Sequence, residues 1–347
     1  MPPPTDAEHR AACEAVVVRA PFDAGAALGY LATHVVPGVE QLTIDEAGSA
    51  GTLERLVTDE SGHVGRLVVH LADDEVRAVV VPGDAAHPGT GTAATARPAG
   101  ARGTTVGETH PWPSDRVVDL LSRWFGLADD LASVAAHLRR DEALAPLVAA
   151  RPHLRVPGHV DPFEVAAQTV LGQQVSLAAA RTFTGRLAAA LGTVHAGGLT
   201  LFPSPVQVAQ ADLDELRAAL RVPANRARTL VGLARACASG LDLHASDDPA
   251  GTRARLLALP GIGPWTADYL ALRATGLRDA FPAGDLVLRQ ALGMDKPADV
   301  EARARPWSPW RAFAAQHLWT ATVLARLTRA ASPAPRRSTA RRGSPRP

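Results

Sequence analysis

Residues 253–276, RARLLALPGIGPWTADYLALRATG, decide the fold. A helix with apolar spacing runs to about Leu259, and Pro260-Gly261-Ile262-Gly263 then makes a tight turn. Pro264 suits the first position of the next helix, where its missing N–H would have no partner in any case. Ala267, Leu270, Ala271 and Ala274 continue an apolar stripe along that second helix. Gly261 and Gly263 permit backbone angles and close approach that a Cβ would block. Their N–H groups, at a helix N-terminus, are placed to hold a DNA phosphate, and Ile262 between them can plug the gap between the helices. Such a turn binds through backbone amides and needs few lysines. Taken alone, the same turn also serves as an ordinary connection between two packed helices.

Downstream lies LRDAFPAGDLVLRQALG, in which Phe281-Pro282-Ala283-Gly284 forms a short loop and Asp285 opens a helix, Leu286–Leu292. An Asp in that position is by itself most simply an N-cap, a role worth about 1 kcal/mol.

Working outward, the chain reads as α+β. Residues 12–82 form an N-terminal α/β domain. Val16–Val18, Leu42–Ile44, Leu53–Thr58, Gly65–Leu71 and Val76–Val81 are short strands, close enough together for an antiparallel sheet, and 22–35 has helical spacing. Residues 83–113 are rich in Gly, Ala, Thr and Pro and read as a flexible linker. Residues 114–330 form an all-helical core. Ser114 and Asp115 are candidate caps of its first helix, and further helices fit 128–139, 141–150, 161–172, 175–191, 204–209, 211–220, 223–239 and 249–258. Residues 331–347 are a Pro/Arg/Ser tail, either disordered or an auxiliary contact to phosphates.

The 347 residues, 46% hydrophobic and 20% charged, have an ordinary composition for a soluble protein. No apolar run approaches the roughly 20 residues of a membrane helix, and the N-terminus lacks the layout of a secretory signal, so a cytoplasmic protein without membrane contact is expected. The two cysteines, Cys13 and Cys237, exclude a four-cysteine zinc or iron–sulfur site supplied by this chain. The histidines, His317 included, form no ligand cluster. Net charge is +1, so composition does not announce a nucleic-acid partner. Lys296 is the lone lysine; chemistry that needs a lysine nucleophile has one candidate.

The combination L-P-G-I-G, a helix, and an Asp about twenty residues beyond the turn resembles the signature of helix-hairpin-helix DNA glycosylases, and the chain resembles the DNA-3-methyladenine glycosylase II family in particular. GYLATHVVPGVEQL (29–42), DPFEVAAQTVLGQQVSLAAARTFTGRL (161–187), FPSPVQVAQADLDELRA (202–218) and PWSPWRAFAAQHLW (306–319) are similar to further family segments. Coverage runs from about Val16 to Leu327, apart from the linker. The resemblance implies base-excision repair: double-stranded DNA with alkylated bases such as 3-methyladenine and 7-methylguanine as partner, a flipped base, hydrolysis of the N-glycosidic bond and an abasic product. It implies Asp285 as the catalytic carboxylate, Trp265, Tyr269, Trp319 and Tyr30 as the base pocket, and Gly261, Ile262, Gly263 and Gln174 as DNA contacts. Electron-rich rings suit cationic bases.

Relatives that also cut the backbone carry a lysine where this chain has Trp265, so no lyase activity is expected. Gln174 stands where the family can carry an apolar wedge, and Leu286 where relatives can carry an aromatic; each departure weakens the match there. No cofactor is required, although the family's hairpin can hold a sodium or potassium ion on backbone carbonyls, here those of Leu257, Leu259 and Ile262. A monomer is expected, nucleoid-associated when on DNA. Relatives fused to a methyl-accepting domain exist, but direct methyl transfer is not expected here. A non-catalytic hairpin protein, or a glycosylase for oxidised or mismatched bases, are the alternatives.

Overall fold

The computed structural model describes residues 15–59, 61–82, 112–244 and 248–331. Strands β1 (Val16–Arg19), β2 (Glu40–Ile44), β3 (Gly51–Thr58), β4 (Val64–Ala72) and β5 (Glu75–Pro82) pair in the spatial order β1-β5-β4-β3-β2, antiparallel throughout. Alternation selects the inner face: along β4, Gly65, Leu67, Val69 and Leu71 are buried while His70 is exposed. Helix α1 (Ala24–His34) follows β1. Asp23 caps it by accepting the Ala26 N–H at 2.8 Å. Ala24, Leu28 and Leu31 on α1 face the sheet's core.

Helix α2 (Ser114–Phe125) closes the same core with Val117, Leu120, Leu121, Trp124 and Phe125. A helix from beyond residues 83–111, which lie outside the described residues, therefore covers the sheet. The N-cap of α2 is Pro113, with no side-chain cap; Ser114 and Asp115, expected as caps, are the first two residues of the helix. The carboxylate of Asp115 there suits the positive end of the helix dipole.

The remainder is helical: α3 (Leu131–Leu138), α4 (Ala145–Ala150), α5 (Pro162–Leu171), α6 (Leu177–Leu191), α7 (Pro205–Gln210), α8 (Leu213–Leu220), α9 (Ala224–Ala238), α10 (Pro249–Leu257), α11 (Pro264–Arg273), α12 (Leu286–Leu292), α13 (Pro297–Ala304) and α14 (Arg311–Ala331). A two-stranded ribbon, β6 (Thr193–Val194) with β7 (Thr200–Leu201), follows α6; the sequence shows no periodicity there. Two apolar cores form. One joins α5–α9 to the hairpin through Ile262, Ala267 and Leu270. The other gathers α3, α4, α12 and α13 around α14 through Leu138, Leu288, Val300 and Phe313. Helix α11 contributes to both, with Leu270 in the first and Leu272 in the second. No helix among the described residues is long and apolar enough to cross a membrane.

A buried ionic junction joins sheet to helices. Arg55 of β3 donates to Glu40 of β2 at 2.6 Å and to Glu164 of α5 at 2.5 Å, all three side chains at most 5% exposed. Burial raises the Glu164 carboxyl above its ordinary range, with the Arg55 charge opposing it. The arrangement holds because two carboxylates share one guanidinium. Arg55→Met should strand both carboxylates and destabilise the protein by about 3–5 kcal/mol, read as a lower urea midpoint.

Candidate active site

Helices α10 and α11 form the expected hairpin, though α10 ends at Leu257, two residues earlier than its spacing suggests. Arg253 of α10 clamps Asp268 of α11 at 2.6 Å. The two glycines differ in kind. Gly261 has φ +88°, and a Cβ there would collide with Thr229. The protein itself therefore demands that glycine. Gly263 has φ −98°, and a Cβ there would meet nothing within 4 Å. Nothing among the described residues requires a glycine at 263, whereas the protein's own packing requires Gly261. Gly263 is the N-cap of α11 and brings no side chain to cap it, so the first-turn amides of α11 face outward without a side-chain acceptor. Ile262 is 6% exposed within the apolar core, and its N–H donates to the Leu259 carbonyl at 3.1 Å. It fastens the turn from inside.

Residues that spacing did not reveal brace the hairpin. Gln173 Nε2 donates to the Gly261 carbonyl at 3.0 Å and to Thr266 Oγ1 at 3.1 Å. Arg226 in turn donates to the Gln173 carbonyl at 2.6 Å, and Thr229 Oγ1 donates to the Pro260 carbonyl at 3.1 Å. Gln174, next to Gln173, is exposed between α5 and α6 with φ +56°. It stands on the surface, apart from the aromatic cluster.

Asp285 starts a helix, as its sequence position suggested. It is the N-cap of α12: Oδ1 accepts the N–H groups of Val287 at 2.9 Å and Leu288 at 3.0 Å. It also faces two indoles. Trp319 Nε1 donates to Oδ1 at 2.9 Å and Trp265 Nε1 donates to Oδ2 at 3.1 Å. Four N–H donors hold the carboxylate, and only Oδ2 keeps a lone pair uncommitted. Gly284 and Leu286, the latter 60% exposed, leave the group open on that side.

The expected aromatic residues come together. Trp265 and Tyr269, one turn apart on α11, stack with centroids 5.3 Å apart. Tyr269 meets Trp319 of α14 edge-on at 6.1 Å. Tyr30 of α1 arrives from the other body and joins them through Arg273, whose guanidinium lies 4.9 Å from the Tyr30 ring, 5.6 Å from Tyr269 and 5.2 Å from Trp319. The sequence reading passed over Arg273. Its signal was available, because it stands four residues past Tyr269 and eight past Trp265, on one face of the helix. A small cleft lies beside Tyr30, lined in part by Phe22, Asp23, Pro157 and Gln316.

Burial sets the charge state of the histidines nearby. His34 stacks on Tyr30 at 4.0 Å. Burial, with the Arg273 charge adding to it, lowers His34 to about 4. Burial also lowers His317 to about 4. Burial raises the Tyr30 phenol, against the opposing charge of Arg273. Among the described residues no group of three or more His, Cys, Asp or Glu is arranged to hold a metal ion. Cys237 is half-buried, its thiol pushed up to about 12 by burial. Lys296 is exposed at the start of α13, and Trp265 occupies the first turn of α11.

With this geometry in hand, comparison with known proteins is direct. Residues 15–161 match the AlkA N-terminal domain, and residues 167–306 match the HhH-GPD superfamily of base excision DNA repair proteins. The chain thus carries an AlkA-type N-terminal domain followed by an HhH-GPD domain. It is 39% identical over 314 residues to a protein of Mycobacterium tuberculosis named "probable bifunctional transcriptional activator/DNA repair enzyme AlkA", covering 87% of this chain and 55% of that one. It is also 39% identical over 180 residues to DNA-3-methyladenine glycosylase 2 of Escherichia coli, covering 51% of this chain and 64% of that protein. The chain thus spans about half the length of the first of these and under two thirds of the second. Its fold superposes on the 3-methyladenine DNA glycosylase of Archaeoglobus fulgidus with a TM-score of 0.67 at 17% identity, over 90% of this chain and 99% of that one.

Gly261→Ala should cost about 2 kcal/mol or more in unfolding free energy, from left-handed backbone strain and the Thr229 collision. Gly263→Ala should leave the unfolding curve unchanged yet weaken binding to duplex DNA, measured by fluorescence anisotropy. The histidines set a second expectation. Their folded pKa of about 4 lies below the unbound value of 6.5, so the unfolded chain takes up protons first as pH falls. Stability should be full above 6.5 and decline between 6.5 and 4, seen as a falling thermal midpoint across that window.

Proposed function

We propose that this protein is a monofunctional DNA glycosylase that excises alkylated bases, 3-methyladenine and 7-methylguanine among them, by flipping the base out of the duplex and leaving an abasic site. The observation that carries this reading is a carboxylate, Asp285, gripped by the indole N–H groups of two pocket tryptophans. The names of the relatives in Escherichia coli and Archaeoglobus fulgidus point the same way.

Breaking the bond between base and sugar builds positive charge on the deoxyribose. Asp285 Oδ2, with its free lone pair, would face that charge and steady it, or receive the proton of an attacking water. The remaining bonds to Asp285 keep the oxygen where it is through the reaction. Trp265, Tyr269, Trp319 and Tyr30 would form the wall against which the flipped base stacks. A stacking wall with few base-edge hydrogen bonds tolerates many damaged purines.

The hairpin would anchor the DNA. Gly261 lets the turn form, Gly263 lets a phosphate approach the α11 amides, and Ile262 keeps the turn rigid. Gln174 would enter or hydrogen-bond the gap left by the flipped base. Carbonyls of Leu257, Leu259 and Ile262 would serve a sodium or potassium ion in the same turn. Neutral oxygens suit such a cation. The protein would act as a cytoplasmic monomer that joins the nucleoid on DNA. Its α/β domain (12–82) and helical core (114–330) would be linked by 83–113, with 331–347 as a tail.

Trp265 at the start of α11 leaves no amine there to form a Schiff base, so the strand should stay whole until alkali cuts it. Methylated duplex DNA incubated with the wild type should release free 3-methyladenine. Asp285→Asn keeps the Oδ1 bonds but turns an NH₂ toward the Trp265 N–H. It should lose about 10²-fold or more in release rate with a modest fall in stability. DNA binding without base release by the wild type would instead mark a binding module.

A further inference from the structure

Arg273 is 3% exposed and has no carboxylate within ion-pair distance among the described residues. It donates to two neutral oxygens, the Pro157 carbonyl at 2.7 Å and Gln316 Oε1 at 3.0 Å, and its Nε has no partner. The rest of its surroundings are the ring faces of Tyr30, Tyr269 and Trp319. Of the two other buried arginines among the described residues, Arg55 is answered by Glu40 and Glu164, whereas Arg155 donates to the backbone carbonyls of Pro21, Gly126 and Asp129 and faces no aromatic ring. An unpaired buried cation is costly, and an apolar residue of similar volume would ordinarily serve packing as well.

Helix α11 gives its position relative to the carboxylate. Trp265, Tyr269 and Arg273 form a ladder on one face, with Asp285 hydrogen-bonded at the Trp265 end. Arg273 lies two turns further on, roughly 12 Å of helix rise away. Trp319 spans the same interval, with its N–H on Asp285 and its ring face toward Arg273. A base stacked on these rings lies between a fixed negative and a fixed positive charge.

The geometry points to Arg273 as a charge-positioning residue for base departure, one that acts on the base through the aromatic wall without touching it. This inference rests on the glycosylase reading of the same site. In the reaction the C1′–N bond breaks and its electron pair leaves with the base. A cationic base departs neutral, while water adds its oxygen to C1′ and releases one proton to solvent. Positive charge thus moves from the base to the sugar, away from Arg273 and toward Asp285. Both fixed charges favour that shift. Arg273 repels the cationic base before the bond breaks and ceases to repel it afterwards, so it raises the bound state relative to the transition state.

A kinetic signature follows. Single-turnover release of 7-methylguanine from a defined duplex, titrated with enzyme, separates the rate at saturation from the half-saturating concentration. Arg273→Met should lower the saturating rate about tenfold, while the half-saturating concentration stays level or falls. Arg273→Lys, which keeps the charge, should recover most of the rate. Thermal midpoints of both variants identify any loss of fold. A wild-type rate in Arg273→Met overturns the inference and leaves the glycosylase reading intact. So does a loss shared equally by the Lys variant with a rise in the half-saturating concentration, which marks a structural role. A wild type that releases no base overturns the glycosylase reading and this inference together, and the same titration reports it.

Discussion

One carboxylate answers two demands in this protein. Asp285 must start helix α12, which requires accepting backbone N–H groups, and it stands against two indole N–H groups from helices α11 and α14. Because three of the four N–H donors share Oδ1 and one goes to Oδ2, the carboxylate can meet both and still present a free lone pair on Oδ2. The loop before it, the helix after it and the two tryptophans are therefore mutually located through a single group. A side chain with fewer acceptor sites could start the helix or hold the indoles, but could not do both and keep a site open.

Buried charge is handled in two different ways. At the junction of sheet and helices, Arg55 is surrounded by carboxylates, and the result is a structural tie between β2, β3 and α5. Behind the aromatic wall, Arg273 is surrounded by rings and neutral oxygens. The first arrangement cancels the field of its guanidinium locally. The second leaves its guanidinium without an acidic partner among the described residues. Their difference lies in the partners, since both side chains are almost fully buried.

The hairpin shows a similar division between inward and outward constraint. Gly261 is required by the protein's own packing against Thr229, and Ile262 is absorbed into the core. Gly263 meets no internal requirement and lies where the amides of α11 are uncapped. Rigidity thus comes from the burial of Ile262 and from the Gln173 and Arg226 braces on Gly261, while the start of α11 is kept free of a side chain by Gly263.

Much of this was legible from residue order. The strands, the helical core, the hairpin and the aspartate beyond it follow from periods of two and 3.6, from Gly and Pro at turns, and from one acid at a helix start, all of which are local properties of the chain. Trp265 and Tyr269 were readable as neighbours because one helical turn separates them. Local order could not show that Trp319 and Tyr30 meet them, since the first contact joins α14 to α11 past two intervening helices and the second joins α1 to α11 across most of the chain. Nor could it separate Gly261 from Gly263, because the distinction rests on what stands opposite each one. The roles of Gln173 and Arg55 were decided by tertiary structure alone, and helical spacing set Arg273 on the face of Trp265 and Tyr269 without showing its partners. A polar side chain takes its meaning from its burial and its partners, and those are set only when distant segments pack together.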